Sequence, residues 1–577
     1  MKESTTNKFA ILNFARRAFL QLAALGLTTV IAFGGTVSPQ LSAMNPNQSV
    51  QVIVKHHDAN LLGTLCSAVN LIDVLPGGEL CSMTVANAIS LGNDVRVQHI
   101  SVNNKLAGTA STNLAYDYTP QTIQPATQAG SANPALGQNI GVAVIDSGIS
   151  INPDLIGNGS VELHGHVPLQ VAYAESFVPN ESVDDYYGHG THIAGIIAGN
   201  GANSTGPGYL HAIHGIAPGA QLINLKVLDK NGHSTDAEVI KAIDRAIQLR
   251  HAYNIKVINL SLGRPIFESY TTDPLCQEVE QAWLNGITVV VAAGNGGRDN
   301  SLNNQGYGTI AAPGNDPLVI TVGAMNTEGT PQRSDDLMTT YSSKGPTTGD
   351  NIVKPDIVAP GNGIFSILDP NSTLATQYPG NIVPLASYEV SPSYGQVSNY
   401  FILNGTSMAA GAASGAVAAL LGSQNLTPDQ VKARLMATAT KTFPKTSVIT
   451  DPTSGQTFTI QYDLFTVGAG YLNLDAALAS TSTIPATMNA ASPVASRGPA
   501  NSNGQTPVYV ANSPSDSATW GSSAVWGTSA VWGTSAVWGT SVWTANSAVW
   551  GTSAVWGTSA VWGTSAVWGT GDPSVNQ

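Results

Sequence analysis

The sequence predicts an α/β protein of three layers, with a mostly parallel central sheet covered by helices on both faces. Three observations predict it. From residue 140 onward, short apolar runs read as strands buried on both sides: 140–145 (I-G-V-A-V-I), 256–260 (K-V-I-N-L), 288–293 (T-V-V-V-A-A) and 318–322 (L-V-I-T-V). Helical periods lie between them, clearest over 236–252, where Val239, Ile240, Ile243 and Ile247 share one stripe and Ser234 or Asp236 caps the start. Each run also ends in polar or glycine residues. Alternating strands and helices build parallel sheets, and such sheets place their sites at the carboxyl ends of the strands.

Taken in order, residues 1–43 carry Lys2, Lys8, Arg16 and Arg17 ahead of an apolar stretch at 18–33. That stretch is shorter than the roughly 20 residues a membrane span needs, and Gln21, Gly26, Thr28 and Thr29 break it, so it reads as an export signal rather than an anchor. Residues 16–21 (R-R-A-F-L-Q) resemble the twin-arginine type, with Ala15 where serine or threonine is more usual, and cleavage is expected near 37–44. Residues 49–110 form a small α/β module, since 50–54 and 95–102 alternate as strands. Residues 111–138, rich in Pro, Gln, Thr, Ala and Gly, read as a linker. The strand and helix pattern fills 139–480, with 475–478 (D-A-A-L) in its last helix. A flexible linker is expected over 481–519, where Pro, Ser, Ala, Asn and Thr dominate.

Residues 520–577 repeat S-A-V-W-G-T and hold nine of the ten tryptophans. Because the period is even, an extended chain puts the in-register indoles on one face, whereas a helix scatters them. Gly, Thr and Ser also disfavour helix. Two readings stand: low-complexity sequence under weak constraint, or an aromatic strand or stack for self-association or retention on the cell envelope.

Only 10% of residues are charged, with 23 basic against 36 acidic, which argues against a nucleic-acid partner, since such a protein needs a basic patch to neutralise phosphates. Of three cysteines, Cys66 and Cys81 can pair and Cys276 is left over; without a C-x-x-C spacing this is neither a disulfide scaffold nor a zinc module.

The chemistry centres on 404–410 (N-G-T-S-M-A-A). Ser407 stands between a Gly-Thr turn and a long run of small residues, 408–421, suited to a closely packed buried helix. Backbone N–H groups in a helix's first turn have no intrahelical partner and the dipole there is positive, so an oxyanion beside the serine is stabilised. The triplet G-T-S alone is uninformative, because the tail repeats it at 527–529 and 551–553. Partners upstream give it weight. Asp146, in V-I-D-S-G, ends the first strand; alone it reads more readily as a turn or cap residue, but a carboxylate there can orient a histidine. His189 and His192 lie in G-H-G-T-H; they could hold a metal, yet no glutamate completes H-E-x-x-H, and a general base is the better reading. Serine is a weak nucleophile at neutral pH, so His189 takes its proton and later returns it to the leaving amine, while Asp146 fixes the tautomer. Asn295, in A-A-G-N-G after a buried strand, offers its side-chain amide to the oxyanion, a donor whose loss typically costs on the order of 10²-fold or more.

These residues resemble the subtilisin-like serine proteases, the subtilases, whose Asp, His, Ser order is the one found. The matching motifs are V-I-D-S-G, G-H-G-T-H-I-A-G, G-I-A-P-G-A (215–220), V-I-N-L-S-L-G (257–263), A-A-G-N-G, S-S-K-G-P (342–346), K-P-D-I-V-A-P-G (354–361) and N-G-T-S-M-A-A, collinear over about 140–478. The resemblance implies a subtilisin-like fold and serine endopeptidase activity without a cofactor for the chemistry. It implies Asp146, His189 and Ser407 as the triad, Asn295 as oxyanion donor and His192 as structural. It also implies Ser261, Leu262, Gly263, Ala292, Ala293 and Gly294 as the cleft edges that bind an extended polypeptide by strand addition. Asp154, in N-P-D-L, matches one family calcium ligand and implies a structural calcium site, although 199–215 lacks the family's calcium loop. The module at 49–110 resembles the family's inhibitory propeptide, which implies self-inhibition, self-cleavage within 106–138 and the departure of Cys66 and Cys81 with it. The chain departs from the family at Gly411, where proline is usual, at 412–415, where A-A-S-G replaces H-V-A-G, and in the long segment 366–400. The expectation is an exported bacterial endopeptidase, secreted or held at the envelope. Two other readings stand beside it: a surface or adhesive protein whose Trp repeats carry the function, and a metal-dependent hydrolase using His189 and His192.

Overall fold

The computed structural model describes residues 35–497 apart from 58–64, 67–69, 108–116, 118, 124–132, 134, 157–169, 302–303, 393–394, 452–454 and 486–488, together with 506–511 and 536–538. Residues 1–34 of the expected export signal and most of the repeat tail lie outside the described residues.

The N-terminal module comprises β1 (Thr36–Val37), α1 (Pro39–Ala43), β2 (Ser49–His56), β3 (Leu71–Leu75), β4 (Gly78–Thr84), α2 (Val85–Leu91) and β5 (Val97–Val102). Its sheet runs β1-β5-β2-β4-β3, with β2 antiparallel to both β4 and β5. Val52, Val54, Val97 and Ile100 fill its core, and a Cys66–Cys81 disulfide spans 5.9 Å between Cα atoms. The module starts earlier than the alternation at 50–54 suggests. β1 pairs in parallel with β5 and Leu41 of α1 is fully buried, so 36–43, expected to belong to the signal, is part of this core. Two residues are too few for a periodic pattern, and the apolar run at 18–33 drew the boundary past them.

After the module come β6 (Lys105–Ala107) and α3 (Thr119–Ile123). The large domain then gives β7 (Gly141–Asp146), β8 (Val171–Ser176), α4 (His189–Ala198), β9 (Gln221–Lys226), β10 (His233–Thr235) and α5 (Asp236–Leu249). It continues with β11 (Ile255–Leu260), α6 (Pro274–Leu284), β12 (Thr288–Ala292), β13 (Ile320–Asn326), β14 (Leu337–Met338) and β15 (Ile357–Asn362). β16 (Ile364–Ile367), β17 (Tyr400–Leu403), α7 (Thr406–Ser423) and α8 (Pro428–Thr438) follow. The central sheet runs β14-β13-β12-β11-β7-β9-β8, with β15 also on β13, and every pairing except that of β14 is parallel. β7 and β12 are buried at every residue, which is why they read as unbroken apolar runs. Helices α5 and α6 pack together against β7, β11 and β12, while α7, with α4 beside it, crosses β11, β12, β13 and β15. This is the predicted α/β architecture.

Helix α5 begins with a capping box rather than at Ser234 or Asp236: the Glu238 carboxylate accepts from the Thr235 N–H at 2.8 Å. The N-terminal module supplies further partners for this helix end. The Asp236 N–H donates to Asn104 O at 2.9 Å and the Ala237 N–H to Asn103 Oδ1 at 3.0 Å, while the Asp236 carboxylate accepts from the Asn104 N–H at 3.1 Å. β6 then pairs antiparallel with β10.

Two stretches read as linkers are docked in part. Asp117 accepts from the Phe365 N–H at 2.9 Å, Arg333 donates to Ile123 O at 2.9 Å, and Thr122 and Ile123 are fully buried. Beyond residue 480, the backbone of 492–495 bonds to Pro317, Val353 and Asn351, and Ser492 enters a buried charge cluster. There its hydroxyl donates to Asp356 Oδ1 at 2.5 Å and lies 2.9 Å from Lys432 Nζ. Small and polar residues look like linker by composition, yet these are the residues that fit such a slot.

Candidate active site

Asp146 ends β7, and its Oδ1 lies 2.7 Å from His189 Nδ1 at the start of α4. Both side chains are fully buried. The helix start is pinned to the strand end by a residue the sequence reading missed, Asp185. Its carboxylate accepts from Ser147 Oγ (2.7 Å), Gly188 N (2.7 Å) and Thr191 N (2.7 Å), and Ser147 Oγ accepts from Gly190 N at 2.8 Å. An acidic residue four positions before a helical histidine was the available signal. Gly190 is required here, since a Cβ would come within 2.2 Å of Gly148 O. Burial disfavours a charged His189, but the Asp146 carboxylate, assisted by Asp185, outweighs it and holds the imidazole pKa above its ordinary value.

His192, on the same helix, faces elsewhere. Its Nε2 lies 3.0 Å from Phe401 O and 3.2 Å from Ile364 O, tying α4 to β16 and β17. Burial, with His189 adding to it, pushes its pKa down to about 3, so it stays neutral. The two histidines do not converge on a metal.

Ser407 sits in the first turn of α7. That helix runs unbroken through Gly411, so the missing family proline leaves its entrance intact; a Cβ at Gly411 would only touch Ile193 and Ile196. The Ser407 hydroxyl donates to Ser261 O at 3.0 Å, and His189 Nε2 has no hydrogen bond among the described residues. Catalytic hydrogen bonds commonly tighten only with substrate. Asn295 lies beside it. Its Oδ1 accepts from Thr406 N and Thr406 Oγ1, both at 3.0 Å, which turns the amide NH₂ end away from Thr406.

A cleft of about 370 Å³ opens at this point, lined among others by Ser261, Leu262, Gly263, Ala292, Gly294, Asn295 and Ser407. Ala293 is not part of the lining; it is fully buried and bonds through its backbone to Val322 and Ala311. Arg264, also unforeseen, backs the cleft. It is buried between Asp236, at 2.7 Å, and Asp273, which takes both 2.8 Å bonds from one guanidinium nitrogen.

Asp154 lies outside the cleft lining. Its Oδ1 accepts from Asn203 N and its Oδ2 from the Tyr400 hydroxyl, both at 2.7 Å, with Ser204 Oγ 2.8 Å from the same phenol oxygen. Burial pushes its pKa up to about 6. Both oxygens of this carboxylate face N–H and O–H donors, so in this structure Asp154 is a hydrogen-bonded pin.

Comparison with known proteins follows the same lines. Residues 137–462, more than half of the chain, match the Subtilase family (Peptidase_S8). Serine protease AprX of Bacillus subtilis (strain 168) is 38% identical over 307 residues, covering 51% of this chain and 60% of its own length. Subtilisin DY of Bacillus licheniformis is 33% identical over 306 residues, covering 53% of this chain and 85% of its own. Among solved structures, fervidolysin from Fervidobacterium pennivorans, a keratinolytic enzyme related to subtilisin, shares the fold at a TM-score of 0.52 and 21% identity, over 79% of this chain and 64% of that one. With the family's motifs carried at the strand ends where the fold requires them, the chain belongs to the subtilase family.

Proposed function

We propose that the protein is an exported serine endopeptidase acting on extended polypeptides through an acyl-enzyme. The observation that carries this reading is the buried 2.7 Å Asp146–His189 pair with Ser407 at a helix N-terminus beside the cleft-edge strand. A peptide added along Ser261–Gly263 competes for Ser261 O, the acceptor that holds the serine hydroxyl, and so frees it toward His189. Ser407 Oγ then bonds to the substrate carbonyl carbon as His189 Nε2 takes its proton. The oxyanion is stabilised by the Ser407 N–H and the Asn295 amide, and collapse expels the amine with the proton from His189. Water, deprotonated by the same imidazole, hydrolyses the ester. No cofactor enters these steps.

The N-terminal module acts as an intramolecular inhibitor. Support comes from β3 packing on α5, from the loop ahead of α6, where Glu268 accepts from Ser101 Oγ at 2.5 Å and meets His99, and from β6 lying along β10. Self-cleavage within 106–138, much of it outside the described residues, completes maturation. The bacterial relatives support export, and the disulfide in the module suits an oxidising compartment. The reading of the tail as a strand repeat for self-association or envelope retention has one supporting observation: Ala536–Trp538 pairs antiparallel with Thr506–Ala511.

A fluorophosphonate should label Ser407, and the protein should hydrolyse casein. Ser407→Ala should lose both and stay unprocessed. Casein hydrolysis that survives Ser407→Ala would sink this reading.

A further inference from the structure

One chain of buried hydrogen bonds behind the cleft is not absorbed by the triad. Ser414 stands seven residues after Ser407, two helical turns along, so both lie on the stripe of α7 that faces β11. Ser414 Oγ donates to Asn259 Oδ1 at 2.9 Å. Asn259 Nδ2 donates to Ser261 Oγ at 2.9 Å, and Ser261 Oγ donates to Ser407 O at 2.8 Å. Ser407 Oγ returns a bond to Ser261 O at 3.0 Å. All four residues are buried, with Ser414, Asn259 and Ser261 at 0% exposure.

With the Asn259 amide placed in this way, each bond has one direction. Its oxygen only accepts, so the Ser414 proton points at Asn259 Oδ1 and the NH₂ end faces Ser261. The NH₂ end only donates, so Ser261 Oγ accepts there and has its own proton left for Ser407 O. Remove the Ser414 hydroxyl and Asn259 Oδ1 is left buried without this donor, so the amide loses one of its two anchors; an amide that turns to take the Ser261 proton on its oxygen releases Ser407 O. The Ser414 position falls within A-A-S-G, one of the stretches where this chain departs from its family.

We infer that Ser414 is a positioning residue which, through Asn259 and Ser261, sets the nucleophile's peptide unit against the strand that holds the substrate. It touches neither substrate nor reacting atoms. This rests on the proposed protease reading, because the alignment it controls is that of Ser407 with a peptide bound along Ser261–Gly263. A nucleophile displaced by a fraction of an ångström reacts more slowly without losing substrate affinity.

The test is steady-state hydrolysis of a peptide substrate by the processed protein, with active sites titrated by fluorophosphonate so that only folded enzyme is counted. Ser414→Ala should lower kcat about tenfold with KM within about twofold. Ser414→Cys, which fills the same space with a weak donor, should resemble the alanine variant rather than the parent. In a Ser261→Ala background, Ser414→Ala should change kcat by less than about twofold, since the bond it orients is gone. Parental kcat in the cysteine variant, or equal losses from Ser414→Ala in both backgrounds, would assign Ser414 to packing alone and overturn the inference. Absence of labelling in the parent protein would instead overturn the protease reading, so the two failures are distinguishable.

Discussion

Replacing Asp146 by asparagine tests the pair on which the chemistry depends. The carboxylate makes its 2.7 Å contact with His189 Nδ1 in a fully buried setting, and its Oδ1 also accepts from Ser147 N at 2.8 Å. The Asp146→Asn side chain would keep the shape, with its oxygen still on Ser147 N and His189 Nδ1, but lose the charge that stabilises the imidazolium formed during attack. The loss expected is about 10⁴-fold in kcat, or about 5 kcal/mol of barrier. A second signature follows from the pKa. Burial lowers the His189 pKa and Asp146 more than reverses it, so the parent's acid limb in kcat/KM should lie above the ordinary 6.5. The base works only when neutral, so a raised pKa moves that limb to higher pH. Without the Asp146 charge, burial is opposed only by Asp185 and the limb should move below 6.5. The sign for stability is the opposite: the parent's raised His189 pKa contributes stability below the unfolded value that is lost as pH rises through the folded one. The assay is kcat/KM on a chromogenic peptide from about pH 5 to 10, with the variant processed in trans by a trace of parent enzyme. Activity within tenfold of the parent, or an acid limb that stays where it was, would refute the assigned role.

Three further outcomes are expected. Chelation should leave the melting temperature unchanged, because both Asp154 oxygens are satisfied by protein donors, whereas Tyr400→Phe should cost about 1–3 kcal/mol by removing one of them; a large drop in chelator would contradict the pin. Glu268→Gln should speed release of the processed N-terminal module about 30-fold, measured by size exclusion over time, since it weakens a buried group shared by His99 and Ser101 (about 2 kcal/mol); unchanged release would remove that contact from the hold. Truncation after residue 497 should melt with the full chain and truncation after 480 should melt lower, because Lys432 and Asp356 lose Ser492, at about 1–3 kcal/mol per buried group left without its partner; equal melting would make 489–497 an ornament of the fold.

Much of the scaffold was legible because the strands that carry the site are buried on both faces. β7 and β12 have no solvent side to interrupt them, so their apolar runs mark their ends to within a residue, and Asp146 and Asn295 follow directly. β8 was missed for the opposite reason: V-A-Y-A-E-S sits at the sheet edge, half exposed along its length, with little apolar content. The Thr235 cap was misplaced by one residue because Ser234, Thr235 and Asp236 are all good cap types, and only the reach of Glu238 decides among them. Arg264 and the link from Ser414 to Asn259 were invisible because their partners lie 9 to 155 residues away in sequence, and Asp185 offered only its spacing before His189, since Ser147, the strand-end residue it holds, lies 38 residues back. At Asp154 the matched letter does not reveal that Asn203 and Tyr400 donate to its carboxylate.

The short join between β5 and β6 has a consequence for timing. Only Asn103 and Asn104 separate the two strands, and both are bonded to the start of α5. While the backbone is continuous the module meets its seat at an effective concentration of roughly millimolar, whatever the number of molecules present. Once the backbone is cut, that guarantee ends, and occupancy depends on how many freed modules share the surrounding volume. On the proposed inhibitory role of the module, a crowded compartment would keep the enzyme silent after cutting, and escape into a large volume would start it, so dilution itself would serve as the trigger.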